Sequence, residues 1–288
     1  MIRSAFLAII GPPNAGKSTL INSLLNTRLN IVSPKPQTTR NSIAGVLTDQ
    51  ERGIQLVLTD TPGILKKQKS LLDQKLHDTI LHAVSGADLI LFLLSPDEEF
   101  TQYTEIIDKL SQSNKKVFLL LNKSDQQKRD FTQEETSLDL PLLKISAKQK
   151  TNLQELFILL DPFITEQVQY YPTDFLSDRT ERFFVKEYIR ETLLLLLQDE
   201  IPHKLFVDIE EMEDRKNIYH IEAVIYADRE NYKKMILGKN GAMIKQIGIQ
   251  SRNRIEELLG KKVYLELQVK IFPKWQNDPT FLKKLEYY

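Results

Sequence analysis

The sequence predicts an α/β chain, in which a doubly wound, mostly parallel sheet is followed by a smaller α+β domain. Three observations predict it. The first half alternates short, continuously apolar runs with longer amphipathic stretches. A glycine-rich turn closes the first apolar run. The pattern then lapses at Gln169-Tyr170-Tyr171-Pro172-Thr173-Asp174, where proline bars a helix, before a differently ordered one begins. A chain of 288 residues has room for two domains, and the boundaries fall at 1–168, a linker at 169–177, and 178–288.

The apolar runs Phe6–Ile10, Ile54–Leu58, Leu89–Leu94, Val117–Leu121 and Leu142–Ile145 have strand length and little polar alternation, as expected of strands covered on both faces. Lys17–Leu25, Gln102–Ser111 and Leu153–Phe163 read as helices between them. After the linker, Arg182–Leu197 reads as a helix, and Lys204–Glu210 and Tyr219–Ala227 as strands joined by the polar turn Glu213–Asn217. Asn231–Leu237 and Ala242–Leu259 read as helices broken at Gly238–Gly241, with Lys262–Ile271 as a last strand. The order is α-β-β-α-α-β.

Hydrophobic residues make up 41% of the chain, enough for two cores, and 39 basic residues balance 39 acidic ones. That neutrality argues against a protein that coats nucleic acid through overall charge, so any RNA contact must come from a local patch. The absence of cysteine removes disulfides, thiolate metal sites and cysteine nucleophiles, and fits a reducing compartment. His77, His82, His203 and His220 have no metal-ligand spacing. The N-terminal apolar run meets Gly11-Pro12-Pro13 without a small-residue cleavage site and reads as a buried strand rather than a signal peptide. The later run Leu193–Leu197 falls far below the ~20 residues a membrane span needs.

Gly11-Pro12-Pro13-Asn14-Ala15-Gly16-Lys17-Ser18 matches G-x-x-x-x-G-K-[ST] between a predicted strand and a predicted helix, the context of a P-loop. Glycines let backbone N–H groups curl around phosphate oxygens, and the helix N-terminus adds its dipole. Lys17 brings a full charge to the β/γ phosphates, the Ser18 hydroxyl can ligate Mg²⁺, and Ala15 and Thr19 belong to the same cradle. Asp60-Thr61-Pro62-Gly63 follows the run Ile54–Leu58. There Asp60 can hold Mg²⁺ and the Gly63 N–H can reach the γ-phosphate. Asn122-Lys123-Ser124-Asp125 selects the base: the Asp125 carboxylate accepts from guanine N1–H and the N2 amino group, a pairing adenine cannot supply. The Lys123 stem can cover the base, Asn122 can tie loops together, and Ser146-Ala147-Lys148 offers the Ala147 N–H to guanine O6.

In this order and spacing the motifs resemble the translation-factor-like GTPases. That resemblance implies GTP and GDP as ligands, with Lys17, Thr39 and Gly63 at the reacting phosphate. It implies Thr39 of Pro36-Gln37-Thr38-Thr39-Arg40 as the switch ligand of Mg²⁺ beside Ser18 and Asp60, with Thr38 the alternative. Where Ras-like proteins carry a water-positioning glutamine, this chain carries Ile64, so slow intrinsic turnover is expected. In part of the group an asparagine at the place of Asn14 helps hold K⁺, which offsets transition-state charge; a purely structural role in the loop is the other reading.

In the second half, Gly238-Lys239-Asn240-Gly241 is a G-x-x-G loop between helices, as in KH domains that clamp single-stranded RNA, and the element order resembles the type II KH fold. Ile236, Ile244 and Ile247 are expected to line a base groove. Lys239, Lys245, Arg252 and Arg254 are the phosphate candidates, with Asn240 and the two loop glycines at the backbone. Eleven Lys/Arg against four Asp/Glu lie between Arg229 and Lys274, net +7 (11 − 4). Trp275 is either a base-stacking platform or a buried anchor. PNAGKST, PQTTR, DTPG and NKSD followed by GKNG and KQIG resemble the Era family along nearly the whole chain; Pro12-Pro13 departs from it where a basic residue is commoner. The resemblance implies binding to the 3′ end of 16S ribosomal RNA, action in 30S subunit maturation, and a monomer in the cytoplasm, sometimes peripheral at the inner membrane. An RNA-binding module with a structural nucleotide, or a GTPase acting on protein or membrane partners, remain the alternatives.

Overall fold

The structure is a computed structural model that describes residues 2–33, 35, 37–65, 69–96, 98, 102–126, 140–198 and 200–284. It divides into two compact units, Met1–Lys67 with Leu76–Asp178, and Gln68–Lys75 with Arg179–Tyr288.

The first unit is built on a six-stranded sheet in the order β2-β3-β1-β4-β5-β6. β1 (Arg3–Ile10), β3 (Ile54–Asp60), β4 (Leu89–Leu94), β5 (Lys116–Leu121) and β6 (Leu142–Lys144) run parallel, and β2 (Ile43–Asp49) is an antiparallel edge. The helices are α1 (Lys17–Leu24), α2 (Leu71–Gly86), α3 (Thr104–Ser111) and α4 (Leu153–Leu160). Alternate residues of β1 feed two cores. Leu7 and Ile9 pack with Leu20 of α1 and Leu156 of α4, while Ala8 and Ile10 pack with Ile80 of α2 and Ile107 of α3. All six residues of β4 are buried, which explains its unbroken apolar run. The arrangement brings the carboxyl ends of β1, β3, β4 and β5 to one rim, where open α/β sheets bind ligands.

Two elements of this unit, β2 and α2, escaped the sequence reading. β2 carries Gly45, Thr48 and Asp49 and buries only part of its length, as an edge strand does. α2 buries Leu72, Leu76 and Ile80, a narrow stripe at four-residue spacing on an otherwise polar helix. The residues expected to be a linker, 169–177, lie against the first unit. Gln55, wholly buried in β3, donates to Tyr171 O at 2.9 Å and accepts from Tyr170 N at 2.9 Å and Tyr171 N at 3.0 Å. Its remaining amide proton goes to Thr48 Oγ1 at 2.9 Å. Val46 N reaches Leu176 O at 2.9 Å. Pro172 bars a helix here, but extended chain still satisfies the open edge of β2.

The second unit places α5 (Glu181–Leu196), α6 (Glu230–Leu237) and α7 (Ala242–Leu259) with a three-stranded sheet of β7 (Leu205–Arg215), β8 (Ile218–Ala227) and β9 (Lys262–Ile271), followed by a short α8 (Pro279–Lys284). β7 and β8 are antiparallel, and β8 and β9 parallel. β7 continues to Arg215, so the expected turn shrinks to Lys216-Asn217, with Lys216 at φ 47°. Thr180 caps α5 by accepting from Phe183 N at 3.3 Å. Trp275 is fully buried and donates to Lys204 O at 3.1 Å. It is an anchor, and the base-stacking reading is withdrawn.

Gln55→Ala removes four hydrogen bonds and takes the side-chain acceptor from the amides of Tyr170 and Tyr171, while Tyr171 O keeps Gln169 Nε2 at 2.9 Å. The expected cost is about 2–4 kcal/mol in chemical denaturation, with faster hydrogen exchange at those two amides. Exchange unchanged at Tyr170 and Tyr171 would show that the amide does not hold the segment.

Candidate functional site

The turn after β1 is shaped by close backbone approach. Gly11 sits at φ 145°, and a Cβ there would lie 2.1 Å from Leu93 O; Asn14 and Gly16 also take positive φ, 63° and 97°. A Cβ on Gly16 would meet Asn122 Nδ2 at 2.2 Å. A Cβ on Gly63 would fall 2.6 Å from Pro13 N, so the DTPG glycine permits its loop to rest on the P-loop. A cleft of about 630 Å³ opens over this surface, lined among others by Asn14, Lys17, Thr19, Thr39, Lys123 and Lys148. That volume suits a nucleotide-sized ligand.

Lys17 is buried and donates to Gly11 O at 3.1 Å and Pro12 O at 2.8 Å. Burial lowers its pKa to about 8, opposed by the nearby carboxylates of Asp60 and Glu98. The hydroxyls of Ser18 and Thr39 lie 2.9 Å apart, and both donate to Asp60 Oδ2, at 2.7 and 3.2 Å. Asn30 Nδ2 donates to the same oxygen at 3.0 Å. Burial pushes the Asp60 carboxyl upward against these bonds and the Lys17 charge. Asp60 Oδ1 is buried with no hydrogen-bond partner. Two hydroxyls and one carboxylate converging, with an orphaned carboxylate oxygen, form a hard-oxygen set suited to Mg²⁺. No group of three His, Cys, Asp or Glu among the described residues could hold a metal ion. Thr38 turns away, donating to Lys35 O at 2.6 Å, and Pro36 lies outside the described residues. Thr61 Oγ1 pins the DTPG turn to Ile9 O at 2.8 Å.

On the base side, buried Asn122 donates to Ala15 O at 2.8 Å and accepts from Ala147 N at 2.9 Å. Ser146 Oγ donates to Asp125 Oδ1 at 2.5 Å and holds the exposed carboxylate in place. Ile64 packs in the core beneath the loop, its N–H on Gly11 O at 3.0 Å. Sequence reasoning missed Asn30, which Asn22 clamps through two 2.8 Å bonds, and Ser23, whose hydroxyl supports Ala147 O at 2.6 Å. Neither belongs to a motif; only the fold brings them to the site.

In the second unit, Gly238 (φ 71°) ends α6 and Gly241 (φ 76°) opens α7, with Asn240 at φ 52° between them. A Cβ on Gly238 would meet Met243 Cβ at 2.7 Å, whereas one on Gly241 meets nothing within 4 Å. Lys239, Asn240, Lys245 and Arg252 are exposed and Ile244 is half-buried. Ile236 and Ile247 are wholly buried in the unit's core, which corrects their expected place in a base groove. Leu265, Leu267 and Val269 of β9 are half-buried. Gly248 leaves room there, since a Cβ on it would sit 3.7 Å from Leu267 Cδ1. Arg254 is also reassigned: it pairs with Glu191 at 3.7 Å and lies over the Tyr188 ring at 5.1 Å. Lys261 pairs with Asp214 at 2.6 Å and Lys270 with Glu210 at 2.8 Å, so the acidic stretch neutralises part of the basic one.

Comparison with known proteins agrees with these geometries. Residues 6–123 match the family described as 50S ribosome-binding GTPase, and residues 200–276 match the KH domain. GTPase Era of Clostridium kluyveri is 42% identical over 295 aligned positions covering 100% of both chains. GTPase Era of Lactobacillus helveticus is 40% identical, covering 99% of this chain and 96% of its own. A crystal structure of Era in complex with MgGDPNP and nucleotides 1506–1542 of 16S ribosomal RNA superposes with a TM-score of 0.92 at 32% identity, covering 100% of this chain and 99% of that one. Era of Aquifex aeolicus, a variant bound to GDP and AlF4⁻, gives 0.91 at 32% identity, with 99% of each chain covered. This chain therefore binds GTP and GDP, hydrolyses GTP, and belongs to the Era family of GTPases.

Proposed function

We propose that this GTPase is a Mg²⁺-dependent switch whose KH domain grips the 3′ end of 16S ribosomal RNA during maturation of the 30S subunit. The observation that carries the reading is the pairing of the Ser18–Thr39–Asp60 oxygen cluster with the open Gly238–Gly241 loop in a chain that matches, end to end, an Era solved with MgGDPNP and that RNA. We read the chain as a monomer acting in the cytoplasm. Among the described residues no helix is long and apolar enough to cross a membrane, so contact with the inner membrane would be peripheral.

In this reading the P-loop N–H groups and Lys17 hold the phosphates, and Asp125 and Ala147 select guanine. Water attacks the γ-phosphorus, the bond to the β-phosphate oxygen breaks, and GDP and phosphate leave. Mg²⁺, held by Ser18, Thr39 and Asp60, would neutralise charge on the β and γ oxygens. Lys17 takes up charge developing on the leaving oxygen, and the Gly63 N–H lies at the γ-phosphate side. Ile64 is locked in the core and orients no water, so turnover is slow. Asn14, at the lip of the cleft, is the candidate to hold K⁺ beside the phosphates. On the RNA side, Gly238 and Gly241 admit the strand's backbone, Lys239, Lys245 and Arg252 meet phosphates, and Ile244 with β9 receives splayed bases.

Asp125→Asn exchanges an acceptor for a mixed donor and acceptor. GDP affinity should fall on the order of 100-fold or more while xanthosine diphosphate binding appears, as read by calorimetry. Unchanged GDP binding would remove Asp125 from base selection. At Gly241 nothing crowds a Cβ, but the φ of 76° strains any side chain, and Gly241→Asp uses the residue type that bears such a φ better than most. It should weaken binding of a 16S 3′-end oligonucleotide at least about 10-fold, by repelling phosphate, with GTP turnover in the absence of RNA unchanged. Retained RNA binding would refute the loop's role, and crosslinking in cells that recovers other RNAs would refute the partner. Replacing K⁺ by Na⁺ should slow turnover; equal rates would dismiss a K⁺ site at Asn14.

A further inference from the structure

The phosphate cleft contains an acidic side chain that no nucleotide-binding motif accounts for. Glu98 follows the end of β4 and lines the same cleft as Asn14, Gly16, Lys17 and Ser18. Its place is built. The Glu98 N–H donates to Ser95 O at 3.0 Å, closing a turn on a serine that is itself buried. Its Oε2 accepts the Tyr103 hydroxyl at 3.0 Å. Tyr103 is 3% exposed, precedes the first turn of α3, and packs its ring 6.2 Å from that of Phe92 in β4. The carboxylate is thus anchored to a rigid aromatic in the core rather than waving from the surface. Burial, together with Glu98 itself, pushes the Tyr103 phenol up to about 12, so it stays a donor at any physiological pH.

We propose that Glu98 is an affinity-setting residue that opposes phosphate occupancy and speeds nucleotide release. The inference rests on the cleft being the GTP and GDP site. Glu98 shares the cleft with the P-loop residues Asn14, Gly16, Lys17 and Ser18. With phosphate bound there, its carboxylate meets oxygens of its own sign, and the repulsion weakens their hold. Removing the charge removes that repulsion from the filled state. A GTPase with such a residue discharges GDP readily on its own, which fits a slow hydrolytic switch that must reset after each cycle.

The test uses the full-length chain and a fluorescent N-methylanthraniloyl derivative of GDP. Glu98→Gln keeps the size of the side chain and an oxygen that still accepts the Tyr103 hydroxyl, so the loop is retained. Release measured by stopped flow should slow, and Kd should fall, about 3- to 10-fold, the range for one partly screened charge near the phosphates. Tyr103→Phe unties the carboxylate and lets it turn toward water. Its shift should have the same sign and smaller size, and the double variant should match Glu98→Gln alone. Release at the wild-type rate or faster in Glu98→Gln would overturn the proposal. So would a loss of K⁺-stimulated turnover in that variant with weaker binding, which would make Glu98 a cation ligand. If the wild-type chain binds no labelled GDP, the nucleotide site itself is wrong, a result separate from equal binding by wild type and variant.

Discussion

Asn122 donates to the Ala15 carbonyl in the phosphate loop and accepts from the Ala147 amide in the guanine loop, and a Cβ on Gly16 would run into its amide nitrogen. The two loops are therefore not independent features of a common rim. One buried amide sets the spacing between the loop proposed to hold phosphate and the one proposed to recognise the base. The geometry demands a residue with a donor and an acceptor at opposite corners of one planar group, of a size that glycine at position 16 alone admits. Ser146, bridging back to Asp125, and Ser23, beneath Ala147, extend that spacing to the specificity carboxylate.

Charge inside the cleft is balanced against burial. Lys17 and Asp60 are both taken out of water, and each pKa is driven by burial toward the neutral form, while the partner's charge resists. Hydroxyls from Ser18 and Thr39 and the amide of Asn30 compensate one oxygen of Asp60 and leave the other without a partner. A magnesium–phosphate group would complete this arrangement, which would give selectivity, because a ligand that lacks either the anion or the cation leaves something buried and unpaired.

Much of this was legible in the sequence because the P-loop, DTPG and NKSD residues act through local backbone geometry at the ends of continuously apolar strands. Gly11, Asp60 and Asn122 each stand where a strand meets a loop, Lys17 opens the helix that follows, and strand ends are what hydrophobic runs mark best. β2 and α2 were not legible, since an edge strand with Gly45 and a helix with a narrow stripe at Leu72, Leu76 and Ile80 give weak periodic signals. Gln55 was missed because a polar residue inside an apolar run carries no sign that it is buried and fully bonded. In the second unit the G-x-x-G turn and its flanking helices could be read directly. Which isoleucines face inward could not: Ile236, Ile244 and Ile247 share one stretch of sequence, yet only Ile244 keeps part of its surface in solvent.

Ile64 has a consequence for anyone who would re-engineer this enzyme. Its side chain is buried in an apolar layer with Ile10, Ile80 and Phe92, and its amide is tied to Gly11. Installing glutamine there would not graft on the Ras-like chemistry. The new amide would be sunk among hydrocarbon with nothing to bond, and the damage would fall on folding rather than on speed. A faster version would instead have to receive positive charge from outside the loop, so the rate is tied to the architecture and not to a single side chain.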